Sequence, residues 1–134
     1  MYLMNEKELM SETDVHAFGV EVVFKQLEEA EWLIHSADAL VDRTLAPQII
    51  ATKGDETGHF IVRTAVHPDR GRIEGQEVYE NLVRHAKRHH ASCYFASVSI
   101  ANSKGKTDEE MSIPVKGVPY HVAFDGLVKM DLPE

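Results

Sequence analysis

Residues 59–100 constrain this chain more than any other stretch. An apolar, β-branched run, His59-Phe60-Ile61-Val62-Arg63-Thr64-Ala65-Val66, gives way to a loop around Pro68 and Gly71. Residues 74–90 then carry Val78, Tyr79, Leu82, Val83 and Ala86 at helical spacing, and residues 92–100 form a second β-rich run. The helical stretch has Glu74, Glu77 and Glu80 in its first half and Arg84, His85, Lys87, Arg88, His89 and His90 in its last, the charge order a helix dipole favours. Strand, helix and strand in uninterrupted succession predict a right-handed crossover between two parallel neighbours. An α/β domain with a sheet at its centre follows.

The flanking segments extend that sheet. Ser11 or Thr13 can cap a helix over residues 13–30, whose apolar positions Val15, Phe18, Val22, Val23, Leu27 and Ala30 recur at helical intervals. Gly19 inside it costs about 1 kcal/mol against alanine and therefore predicts a close packing contact. Residues 32–39 read as a short strand packed by Trp32 and Ile34 from one face. A second strand starts at Pro47 and runs through Ile49 and Ile50, and the Gly-bearing residues 53–58 turn it into the 59–66 strand as an antiparallel hairpin. Residues 102–119 form a long polar loop with one helical turn that Thr107 and Glu110 can cap as a box. A last strand over 120–128 is interrupted by a turn or bulge at Asp125-Gly126. Residues 1–12 are expected to be a mobile lead-in.

The 134 residues, with no repeat or composition break, suit one domain, 1–134. Fourteen Lys+Arg against 22 Asp+Glu leave a net charge of −8, which disfavours non-specific coating of nucleic acid or anionic lipid. Only residues 63–90 are locally basic, at +2. No apolar stretch approaches the roughly 20 residues a bilayer crossing demands, so no membrane partner is expected. The single cysteine, Cys93, excludes a disulfide within the chain, and without a secretory signal pattern the expected location is cytoplasmic.

The order α-β-β-β-α-β with a C-terminal strand resembles the PD-(D/E)XK nuclease superfamily, whose restriction-endonuclease-like fold has a mixed central sheet flanked by helices. Its small, resolvase-like bacterial members are the most similar. The likeness runs over residues 14–101, within a nuclease-like core of 13–101. It is carried by Glu21 in the first helix, the strand at Trp32-Ile34, Pro47-Gln48-Ile49-Ile50-Ala51 where the family places an acid ahead of a strand, and Phe60-Ile61-Val62-Arg63-Thr64 where it places its acid-x-lysine strand. The resemblance implies Mg²⁺-assisted cleavage of phosphodiesters, which needs hard oxygen ligands converging beside the sheet. This sequence departs from that pattern. Gln48 falls at the aspartate position, Val62 at the acidic position and Thr64 at the lysine position, and only Glu21 keeps a metal-site residue type. A one-residue shift brings Arg63 to the lysine site but Ile61 to the acidic one.

Three readings follow. In the first the chain is a non-catalytic nuclease-like module for binding or accessory work, with Glu21, Gln48, Arg63 and Thr64 as a remodelled face and no catalytic residue, metal or cofactor. In the second it is a Mg²⁺-dependent nuclease whose ligands have migrated, for example to Asp38 or Asp42. In the third it binds nucleic acid without cutting it, through phosphate contacts by Arg84, Lys87 and Arg88; the alternative role of these cations is to complement the helix dipole. His85 and His89 have the i,i+4 spacing of zinc ligands but lack a third ligand nearby in sequence. Arg63, a charge within an apolar run, is expected to be edge-exposed or paired with Glu21 or an acid of the second helix; the alternative is an anion contact. Cys93 is expected to be a buried, inert thiol. Self-association through the exposed edge of the C-terminal strand, giving a homo-oligomer, completes the expectations.

Overall fold

The computed structural model describes residues 8–132. The elements in order are α1 (Glu12–Glu29), β1 (Leu33–Ala37), β2 (Ile49–Lys53), β3 (Glu56–Val66), α2 (Gln76–Arg88), β4 (Ser92–Asn102), the single turn α3 (Asp108–Met111) and β5 (Tyr120–Met130). They build one open five-stranded mixed sheet in the order β1-β2-β3-β4-β5. β3 and β4 are parallel, in unbroken register from Gly58↔Ser92 to Val66↔Ile100, and the other pairs are antiparallel. The crossover read from residues 59–100 is the centre of the sheet.

Alternation along β3 divides the interior in two. Phe60 and Val62 pack with Val20, Val23 and Leu27 of α1, while Ile61 packs with Leu82, Val83 and Ala86 of α2, so the helices cover opposite faces. Trp32 stands edge-on against Phe60, which stacks on Tyr94, tying β1 to the centre of the sheet. α1 begins at a reciprocal capping box between Ser11 and Asp14. Its approach to the sheet depends on Gly19: a Cβ there would lie 1.6 Å from Thr64 Oγ1. The close contact expected of that glycine is therefore with β3.

Four details differ from the sequence reading. The β2–β3 turn is only two residues long, with Lys53 opposite Glu56 and Gly54 at φ +60°, and β3 correspondingly starts at Glu56. Residues 1–7 of the expected lead-in lie outside the described residues. Those that follow are held: Met10 N donates to Pro114 O at 2.7 Å and Leu9 bridges Val115. The 102–119 connection is thereby strapped to the start of α1, and Thr107 caps α3, although Glu110 bonds the backbone of Lys106 rather than completing a box. β5 runs unbroken to Met130, absorbing Asp125 and Gly126 as a bulge between the pairs Ala96↔Leu127 and Val98↔Phe124. It is an edge strand, and Val122 and Val128 are exposed on it.

Candidate functional site

Pro47 and Gln48 enter β2 where its ladder with β3 ends. Gln48 N donates to Phe60 O at 3.2 Å and Gln48 O accepts from Asp38 N at 2.8 Å, and the next donor to be met on β3 is Val62 N. The side chain of Gln48 takes over, its Oε1 accepting from Val62 N at 2.8 Å and from Arg63 Nη1 at 3.3 Å. Gln48 is buried, and its Nε2 has no partner.

Arg63 is 2% exposed, so its charge must be met internally. All five of its N–H groups are used. Nε and Nη2 donate to the two oxygens of Glu74 at 2.7 and 2.8 Å, Nη2 also to Arg43 O at 2.6 Å, and Nη1 to Val62 O at 3.0 Å as well as to Gln48. Of the two partners expected for Arg63, Glu21 and an acid of the second helical stretch, the second is the one present: it is Glu74, which the structure leaves in the loop just ahead of α2. Burial pushes the Glu74 carboxyl up, and the hydrogen bonds and charge of Arg63 outweigh it, leaving the group below its ordinary value. Through the Arg43 carbonyl the same guanidinium anchors the 38–46 loop beside the sheet.

Glu21 does not join this network. It is exposed and pairs with Lys25 on the surface of α1 at 3.0 Å. At roughly 100° per residue it sits about 140° around the helix from His16, and the buried stripe of α1 is His16, Val20, Val23 and Leu27. His16, which sequence reasoning missed, is 2% exposed, and neither ring nitrogen has a partner. Burial, then the charges of Arg43 and Arg63, push its pKa down to about 4 against the opposing pull of Glu74, so the ring is neutral at pH 7. Thr64 lies against Gly19 with its Oγ1 unpartnered. His16, Arg43 and Thr64 line one cavity of about 350 Å³, together with Glu12 and apolar residues that include Met10 and Val15.

The other expected sites are dispersed. Asp38 and Asp42 are exposed and spend their carboxylates on their own loop, on Leu40 N and on the N–H and hydroxyl of Thr44. Arg84 pairs with Glu80 at 3.1 Å, while Lys87 and Arg88 are exposed in the last turn of α2, where they complement its dipole. Cys93 is buried under Leu82 and Met130, and burial pushes its thiol up to about 12, as suits an inert packing residue. His85 and His89 do meet a third imidazole: buried His59 of β3, with ring centres 5.5 and 5.8 Å away. Burial, then His85 and His89, lower His59 to about 4. Among the described residues, however, no group of three or more His, Cys, Asp or Glu is arranged to hold a metal ion. No helix of the described residues is long and apolar enough to cross a membrane.

Fold and site together define an α/β domain with an open mixed sheet, helices on both faces, and a polar pocket where α1 meets the end of β3. The chain belongs to the family described as a domain of unknown function, DUF8840, whose model matches residues 13–130. That span runs from the first turn of α1 to the last residue of β5, so it takes in the whole sheet and all of the pocket lining except Met10 and Glu12. A search of curated proteins found no match to the chain.

Proposed function

We propose that this chain is a restriction-endonuclease-like scaffold used as a binding or accessory module rather than as a nuclease. One observation carries the reading: where the resembled superfamily gathers metal-binding acids, this chain buries Gln48 and an Arg63 whose charge is already met by Glu74. Mg²⁺ is held by oxygen ligands, chiefly carboxylates and water. Gln48, Val62 and Thr64 offer one engaged amide oxygen, an alkyl group and a hydroxyl, a set that does not fit the ion. The migrated-ligand alternative draws no support from Asp38 and Asp42, which are tied to separate turns of their loop.

The test is incubation of purified protein with Mg²⁺ or Mn²⁺ and single-stranded, duplex and branched DNA. All three are expected to stay intact. Metal-dependent cleavage of any of the three would refute the proposal.

The exposed Lys87 and Arg88 favour a second reading, nucleic-acid binding without cleavage. Phosphate contacts there make affinity fall steeply with added salt and weaken in Arg88→Ala. Affinity indifferent to both would remove that reading.

A further inference from the structure

Three histidines meet where the last turns of α2 lie over the start of β3. His85 and His89 stand one turn apart on the side of α2 that also carries buried Leu82 and Ala86, with ring centres 4.6 Å apart. His59 rises from the sheet two residues before Ile61, on the face that α2 covers. Its ring centre is 5.5 Å from that of His85 and 5.8 Å from that of His89. His59 is 3% exposed and its Nδ1 has no partner, a cost that buried polar groups ordinarily avoid.

As the rings stand, no three donors converge on one point. A half-turn of an imidazole about its Cβ–Cγ bond exchanges carbon and nitrogen corners and leaves the ring centre nearly in place. The positions of the centres therefore decide whether the three rings can share an ion. A zinc ion bonded to an imidazole nitrogen at about 2.0–2.1 Å lies about 3 Å from the centre of that ring. The point equidistant from the centres of His59, His85 and His89 is also about 3 Å from each.

We propose that His59, His85 and His89 bind a zinc ion, each through one ring nitrogen, with water in the fourth position. Three imidazoles and a water are a set that zinc accepts, whereas Mg²⁺ is held by oxygen. The helix supplies two donors at i,i+4 spacing, and the crossover brings the third, which lies far from them in sequence. His89 is the C-cap of α2, so the ion sits at the negative end of the helix dipole, which offsets the charge of nearby Arg88. His89 is exposed, which gives the ion and its water a way in from solvent. Bound there, the ion ties α2 to β3. The site uses nitrogen donors and none of Gln48, Val62 and Thr64, so it stands independently of the module reading.

Zinc titration of the full chain, stripped first with a chelator, tests the proposal. Affinity is read by competition with a chromophoric chelator, and the ring nitrogens are followed in ¹H–¹⁵N spectra of the imidazoles. One zinc ion per chain is expected, with the ring nitrogens of His59, His85 and His89 shifting together, and Mg²⁺ at the same concentration should move none of them. His59→Gln, His85→Gln and His89→Gln should each weaken zinc at least tenfold, whereas His90→Gln, just beyond the cluster, should leave the affinity unchanged. The His59 signals are read in the parent chain, so the result stands even where His59→Gln fails to fold. Zinc that shifts His85 and His89 but not His59, an affinity indifferent to His85→Gln or His89→Gln, or an equal loss in His90→Gln would each overturn the proposal. Cleavage of DNA bears on the module reading alone and leaves this site to the zinc titration.

Discussion

Acidification from pH 7 to pH 5 should cost this fold about 4 kcal/mol, and two buried histidines set the figure. His16 and His59 are each lowered from 6.5 to about 4 in the folded chain, by burial first and by neighbouring positive charge second. Between those two values the unfolded chain binds protons that the folded chain refuses. Stability is therefore complete above about pH 6.5 and is lost as pH falls toward 4, the direction required when the unfolded state holds more protons. With 1.36 kcal/mol for each pKa unit, the loss between pH 7 and pH 5 is about 2 kcal/mol for each histidine. His85, lowered by burial and by His89 and Arg88, adds in the same direction. The lowered Glu74 contributes its own loss only at more acid pH, as it protonates below its ordinary 4.5. Urea unfolding at half-unit intervals from pH 7.5 to 4.5 measures the effect, and His16→Gln and His59→Gln should each remove about half of the slope. A free energy of unfolding that is flat from pH 7 to 5, or that rises on acidification, would refute the placement of these rings in the interior.

Two packing predictions accompany it. Gly19→Ala drives a methyl group into Thr64 and should destabilise the fold by about 1–3 kcal/mol despite the better helix propensity of alanine; chemical denaturation of the variant and of Gly19→Ala/Thr64→Gly checks it, because the second change opens the space and should recover most of the loss. Glu74→Ala leaves the Arg63 guanidinium buried with two donors unmet. Its expected cost is about 2–3 kcal/mol, below the figure for a fully buried pair because Glu74 is 36% exposed, and a variant as stable as the parent would show that solvent already reaches Arg63.

The layout of the sheet was legible because its segments differ in period and punctuation. The alternating run of β3, the 3.6-residue pattern of α2 and the uninterrupted β4 leave one economical connection, and the Asp125-Gly126 pair announced the irregularity that became a bulge. The site was less legible, for reasons that lie in particular residues. Glu21 was selected by chemical type, yet the helix turns it to solvent. His16 was passed over as polar although it lies seven residues before Val23 and eleven before Leu27, on the stripe that faces the sheet. Glu74 reaches Arg63 only because the 67–75 loop folds back along β3, a path fixed by tertiary contacts such as the Ser97 hydroxyl donating to Gly71 O and not by local propensity. His59 joins His85 and His89 for a related reason: the crossover lays the last turns of α2 over the start of β3.

The central proposal, that the sheet carries no oxygen cage for a divalent ion, meets its most direct test in paramagnetic broadening by Mn²⁺. Substoichiometric Mn²⁺ added to the ¹⁵N-labelled chain should leave the amides of Gln48, Val62, Arg63 and Thr64 as sharp as those of the rest of the sheet. Selective, saturable broadening centred on those four residues, reversed by excess Mg²⁺, would contradict it.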